Sequence, residues 1–184
     1  MDKTALITQI HATPLMTVLA VAGGGGQAVA DLLAVPGASR TVLEAVIPYS
    51  QAAQSAFLGK TVDQSVTAKA TAAFARAAYR RALRLRTDEA LPVIGLACTA
   101  ALATDRPKKG DHRAHIGVSD VERTRVSSLT LHKGTRDRSG EEQVVTALLL
   151  SVLAEACGLE ARPQVGLLPQ EHVIVEEFPA TFAL

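Results

Sequence analysis

Aromatic side chains are nearly missing from this chain. Of its 184 residues four are Phe, two are Tyr and none is Trp, 3% in all. A core without aromatic bulk has to be filled by Ala, Val and Leu, within a hydrophobic content of 48%. Such small side chains favour helices packed closely on a sheet. The scarcity of rings also removes a platform for base stacking. The charge balance removes the field that would draw in a polyanion: 19 Lys and Arg stand against 18 Asp and Glu, a net charge of +1. Nucleic-acid binding is therefore not expected. Cysteine is scarce too. Cys98 and Cys157 are far apart and form no C-x-x-C, which excludes a zinc ribbon or a disulfide scaffold and suits a reducing cytoplasm. Long apolar runs are lacking. Leu15 to Ala22 follows polar residues, contains Thr17 and runs into glycines, so it reads as a buried strand and not as a signal-peptide core. Val144 to Leu153 is too short, and too flanked by acids, to span a bilayer.

What is present alternates between two periods. Lys3 to His11 reads as an opening helix and Met16 to Ala22 as a strand buried on both faces. Gly23 to Gly26 end it. A helix with Ala28, Val29, Leu32 and Leu33 on its apolar face follows and stops at Val35-Pro36-Gly37. Thr41 to Pro48 reads as a strand and Gln51 to Leu58 as a short helix ending at Gly59. Asp63 is positioned to cap a long helix to about Arg86, with Val66, Ala70, Ala73, Phe74, Ala77 and Ala78 at helical spacing and Arg76, Arg80, Arg81 and Arg84 on a solvated face. Pro92 to Thr99 is another buried strand. His115 to Val118 and Arg125 to His132 can pair as a hairpin. Ser139 and Glu142 form an S-x-x-E capping box for a helix ending at Gly158, and His172 to Val175 suits an edge strand. The pattern predicts one domain over residues 1–184, with a core of about 15–158 and a tail over 159–184 packed on it. The fold class is α/β, three layers α/β/α around a mainly parallel, mixed sheet. The alanine-rich helix faces allow close approach of a second copy, so a homo-oligomer is expected.

In such a sheet, ligands sit beyond the carboxyl ends of the strands. Three segments are expected to meet there. Gly23, Gly24, Gly25 and Gly26 lie between a strand and a helix, where free amides and the helix dipole suit a phosphate or carboxylate. Tyr49 and Ser50 end the next strand, and Ser39, after a Pro-Gly turn, can reach the same mouth. The loop after Cys98 is the densest in functional groups: Thr99 and Thr104 to position a ligand or water, Lys108, Lys109 and Arg113 to hold a phosphate, and Asp105 with His112 as an acid–base pair. Cys98 itself reads as core packing, since a nucleophilic thiol needs a nearby base. The five histidines show no H-x-x-x-H. His112 and His115 with Asp111 are the one grouping near metal spacing, and no metal or cofactor is expected.

The stretch VLAVAGGGGQAVADLLAVPGASRTVLEAVIPYSQAAQSAFLG resembles the start of the CinA C-terminal domain, the nicotinamide-nucleotide amidohydrolase family. That family reads A-E-S-C-T-G-G, a helix, a glycine-serine turn, a strand ending in Y-S-N-E-A-K, and a short helix ending in glycine. Gly25-Gly26 match its G-G, Gly37 and Ser39 fall in its turn, and Tyr49-Ser50 match its Y-S. Val62 and Val66 match the V-x-x-x-V that opens its long helix, and Ala100 to Asp105 fall on its S-G-I-A-G-P region. The resemblance spans roughly Leu15 to Gly158. It implies a cytoplasmic hydrolase that converts nicotinamide mononucleotide to nicotinic acid mononucleotide and ammonia.

The family's side chains are replaced at the positions that matter most. Its serine falls on Ala22, its glutamate on Val21, its threonine on Gly24 and its lysine on Gln54. Its two glycines fall on Ala101 and Thr104, and its proline falls on Asp105. Alanine is no nucleophile, and glutamine is no base. Two readings follow. One is a hydrolase acting on a pyridine nucleotide or another small phosphorylated molecule, with the chemistry moved to Thr99–Arg113. The other is a catalytically inactive nucleotide-binding or scaffolding domain.

Overall fold

The computed structural model describes residues 2–106 and 109–180. The chain runs α1 (Lys3–His11), β1 (Met16–Ala22), α2 (Gly26–Ala34), a 3-10 turn (Ala38–Arg40), β2 (Val42–Val46), α3 (Gln51–Leu58), α4 (Ala68–Leu85), β3 (Val93–Ala101), β4 (His112–Ser119), β5 (Arg123–Leu131), α5 (Arg138–Ala156) and β6 (Val173–Pro179). One six-stranded sheet has the order β2-β1-β3-β4-β5-β6. It is mixed: β2, β1 and β3 pair in parallel, and β4, β5 and β6 continue from β3 as antiparallel neighbours. The expected hairpin is β4–β5, and the expected edge strand is β6.

Helices cover both faces, giving the three layers. Leu19, Val21, Leu96, Ile116 and Leu129 meet Leu6, Ile10, Leu32, Val145 and Leu149 from α1, α2 and α5. Val18, Ala20 and Ala97 meet Phe74, Ala75, Ala78 and Ala82 of α4 on the other face. The alanines have a geometric use. A methyl placed on Gly95 of β3 would lie 2.1 Å from both the Ala75 carbonyl oxygen and the Tyr79 nitrogen, so the α4 backbone lies directly against the sheet. Ala75, Ala78 and Ala82 are fully buried in that contact, so this alanine face is spent inside the fold and is not available to a second copy. His11 is a satisfied core histidine. Its Nε2 lies 3.0 Å from the Leu32 carbonyl, which can only accept, so Nδ1 accepts from the Thr41 hydroxyl at 2.8 Å.

Four local expectations are corrected. Leu33 is 56% exposed and does not join the apolar face of α2. The cap of α4 is Thr67, which accepts from the Ala70 amide, not Asp63. The carbonyls of Val62 and Val66 are taken by Gln51 Nε2 and Arg113 Nε, which holds the preceding stretch open. Two of the four α4 arginines are tied to the sheet. Arg81 pairs with Glu44, and Arg76 donates to Ser119 and to the Asp120 and Ala180 carbonyls. Finally, the cap of α5 is Asp137, accepting from the Gly140 amide at 2.7 Å. The helix therefore starts two residues earlier than the S-x-x-E spacing suggests. Glu142 is carried into its second turn and leaves the capping role to Asp137.

Candidate functional site

The earlier start of α5 makes the site. β1 stops at Ala22 because Gly23 and Gly25 take φ of 82° and 86°. Three of the four glycines are demanded by packing. A methyl on Gly23 would lie 2.0 Å from the Ala100 carbonyl oxygen; on Gly24, 2.8 Å from a Leu102 methyl; on Gly25, 3.0 Å from Cys98 Sγ. Gly26 alone has open space around it. Two amides at the start of α2, those of Gly25 and Gln27, are already taken by the protein's own carboxylate. Glu142 Oε2 accepts from the Gly25 amide at 3.0 Å and Oε1 from the Gln27 amide at 3.1 Å. The anion expected at this helix start is thus Glu142, held by the same amides and dipole that suit a phosphate.

The adjacent Glu141 turns the other way and is fully buried. Its Oε2 accepts from the Ala103 amide at 2.6 Å, and Oε1 lies 2.6 Å from His112 Nδ1. Two consecutive carboxylates at the start of α5 therefore clamp the glycine run on one side and the end of β3 on the other. Arg138 completes the clamp by donating to the Gly23 carbonyl at 2.7 Å.

Beside the clamp lies a cavity of about 530 Å³. Val21, Gly23, Gly24 and Gly26 form its floor, Ile47 and Tyr49 one wall, and Asp137, Arg138, Ser139 and Glu142 the other. Tyr49 is 69% exposed and presents a ring at the rim. The cavity is thus an apolar trough with one guanidinium, two carboxylates and two hydroxyls around it.

Of the residues singled out in the sequence, Gly23, Gly24, Gly26 and Tyr49 line this cavity, and Gly25 supports it through Glu142. The others lie elsewhere. Ser39 sits exposed in the 3-10 turn, and Ser50 caps α3 by accepting from the Ala53 amide. Thr99 is fully buried and shares a 2.6 Å hydrogen bond with Thr71 of α4. Ala22, Thr99, His115 and Ser128 are register neighbours in one row across the sheet, and strand alternation puts that row on the α4 face, opposite Val21 and the cavity. Thr104 bonds the Arg106 carbonyl, Lys109 is exposed and Arg113 holds the Val66 carbonyl. Lys108 lies outside the described residues. The expected Asp105–His112 pair does not form. Asp105 is exposed beside Arg106, and the partner of His112 is Glu141, which α5 brings in from beneath. Gln54, at the position of the family's lysine, is buried between the Tyr49 carbonyl and the Ser65 hydroxyl. Burial pushes the Cys98 thiol well above its ordinary range, with the charge of Glu142 adding to it, so Cys98 is core packing. Among the described residues no group of three or more His, Cys, Asp or Glu is placed to hold a metal, and no helix is long and apolar enough to cross a membrane.

A glycine-turned strand end feeding a helix, on a mixed sheet of order 2-1-3-4-5-6 with helices on both faces, defines a three-layer α/β protein. The chain shares this fold with solved structures of competence/damage-inducible proteins, some of them named as CinA superfamily proteins. One is a competence/damage-inducible protein, CihA, from Agrobacterium tumefaciens, with a TM-score of 0.63, 19% identity, and 88% of this chain and 97% of that one covered. Another is a competence or damage-inducible protein from Enterobacter asburiae, with a TM-score of 0.61, 15% identity, and 85% and 94% covered. A third is a competence-damaged protein (CinA) superfamily protein from Escherichia coli, with a TM-score of 0.56, 17% identity, and 84% and 85% covered. No protein-family model and no curated protein sequence matches the chain.

Proposed function

We propose that the protein binds a nucleotide-like small molecule in the glycine cavity without hydrolysing it. The observation that carries this reading is the make-up of the lining. It offers a ring face at Tyr49, an apolar floor, a guanidinium at Arg138 for a phosphate, and carboxylates at Glu142 and Asp137 for sugar hydroxyls. It has no histidine or lysine to activate its two hydroxyls, Tyr49 and Ser139. A phosphate would bind Arg138 in place of the Gly25 and Gln27 amides, which Glu142 holds.

One observation favours hydrolysis as a second reading. Glu141 fixes His112 as a buried carboxylate fixes the base of a hydrolytic triad, leaving Nε2 for proton transfer. His112 does not line the cavity, so the pair stands behind its wall.

One experiment separates the two. Nicotinamide mononucleotide is titrated into the protein by calorimetry, and ammonia is measured in the same samples. Binding without ammonia is expected. Arg138→Ala should weaken it about tenfold through loss of the charged contact, and Tyr49→Ala about fivefold through loss of the ring. Ammonia release that His112→Ala abolishes would establish the hydrolytic reading. No saturable heat would defeat both.

A further inference from the structure

The two edges of the sheet are built differently. β6, at one edge, carries Glu176 and Glu177, both exposed, and ends on Pro179, which has no amide to offer. Charge and proline are what keep an edge strand from pairing with another chain. β2, at the other edge, contains no proline and one charge, Glu44, which Arg81 of the same chain neutralises. Among the described residues no strand pairs with the outer side of β2.

The neutrality extends well past the strand. Charged residues make up 20% of the chain, yet from Thr41 to Gly59 Glu44 is the only one. That stretch forms β2, the turn after it and α3. On it Ile47 is 57% exposed and Tyr49 more so, and Ala52 and Ala56 lie exposed one turn apart on α3. The third exposed apolar residue here is Leu33. It stands two turns along α2 from Gly26, on the same side of the helix, and Gly26 and Ile47 line one cavity. The crossover helix α2 returns toward the start of β2, so Leu33 lies near that start and Ile47 just past the end of the strand. The result is an apolar margin beside a bare strand edge.

We propose that two copies of this chain associate through their β2 edges, antiparallel across a two-fold axis. The choice of a second copy follows from charge. An acidic or basic partner finds no counter-charge on this edge, whereas the same neutral edge turned about a two-fold axis matches it. The ladder between β1 and β2 slips beside Leu43, so the regular stretch is Glu44–Val46. A pairing centred on Ala45 sets each Glu44 across from Val46 of the second copy and keeps the two carboxylates apart. The same pairing brings Leu33 of one copy toward Ile47 of the other, which gives the backbone bonds an apolar flank. It joins two six-stranded sheets into one and leaves the charged, proline-ended β6 at both outer edges. Ile47 and Tyr49, and with them the two glycine cavities, then flank the junction.

The test is the molar mass of the whole chain by sedimentation equilibrium, without ligand, over a concentration series. The expected result is a reversible dimer of twice the 19.3 kDa chain. Hydrogen exchange at the outward amides of residues 42–46 should be slow at high concentration and quicken on dilution. Exchange over residues 173–179 should not respond to concentration. Ile47→Lys puts a charge into the margin at a position already exposed in the single chain, and should raise the dissociation constant about tenfold or more. Ile174→Lys, comparably exposed on the other edge, should leave it unchanged. A monomer at every concentration overturns the proposal. So does a dimer whose exchange at 42–46 ignores dilution, or one that Ile174→Lys disrupts and Ile47→Lys does not. Because no nucleotide is present, these outcomes stand apart from whether the glycine cavity binds one.

Discussion

Glu141 and Glu142 are neighbours in sequence and opposites in use. One is buried against a histidine and a backbone amide at the end of β3; the other reaches 117 positions back along the chain to the glycine run. Charge-assisted bonds of this kind are stronger than neutral ones, and two amides at one helix start depend on a single side chain. Glu142→Ala should therefore cost about 1–2 kcal/mol in urea unfolding. It should also uncover what Glu142 conceals. The freed amides of Gly25 and Gln27 would donate to inorganic phosphate, so phosphate should raise the melting temperature of the variant and leave that of the parent unmoved. If phosphate stabilises both equally, Glu142 is not the resident anion. The sequence points to the glycine run as a place for a bound phosphate or carboxylate; the structure puts the protein's own carboxylate on the Gly25 and Gln27 amides. That identity was not legible, because an acid in the first turn of a helix reads as a partner for its own helix's dipole. No local spacing shows that it serves a different helix. The sequence pairs His112 with Asp105, whereas the structure pairs it with Glu141. Its partner was hidden because Asp105 is near in sequence and Glu141 near only in space.

The elements themselves were largely readable. The ends of α1, β1 and α3 coincide with the breaks that polar, glycine and proline residues make in the hydrophobic pattern. Caps were harder. Both Asp63 and Ser139 satisfy the residue preference for a helix start, yet the helices begin at Thr67 and Asp137, where the neighbouring carbonyls and amides are free to join them. The scarcity of aromatics becomes physical in α4. With alanines facing it, the helix backbone comes down onto β3 until only glycine fits at 95. Gly95→Ala has to push a strand and a helix apart, and no flexible side chain can yield. We expect it to lower unfolding free energy by at least about 2 kcal/mol. Gly110→Ala, in open space and without a left-handed backbone, should stay within about 0.5 kcal/mol of the parent. Equal urea midpoints for the two variants would show that α4 is not seated this closely.

At the scale of the whole molecule, the sheet has two halves made in different ways. β2, β1 and β3 are set by helical crossovers, whereas β6 reaches the far edge only after a tail of irregular backbone. Glu171 fixes that tail. Its side chain is 1% exposed and accepts from both terminal nitrogens of Arg136, at 2.7 and 2.9 Å, and from the amides of His132 and Leu168, at 2.8 and 2.9 Å. Arg136 also donates to the Gly166 carbonyl. One carboxylate thus joins the end of β5, the approach to α5 and the tail that delivers β6. Burial pushes the Glu171 carboxyl up, but Arg136 and the two amides together outweigh it and hold it at about 2. That is below the roughly 4.3 of a free glutamate, so the clasp contributes its full stability above that value and loses it as pH falls toward 2. The loss should be on the order of 2 kcal/mol between pH 5 and pH 2. Glu171→Gln should be less stable than the parent at neutral pH and should lack that part of the acid limb. Hydrogen exchange over residues 173–179 should quicken in the variant, while exchange in β1 and β3, buried at the centre of the sheet, stays slow. A variant whose urea midpoint falls with acid as steeply as the parent's would mean that the edge strand is held by its ladder with β5 alone, and that the tail merely follows it.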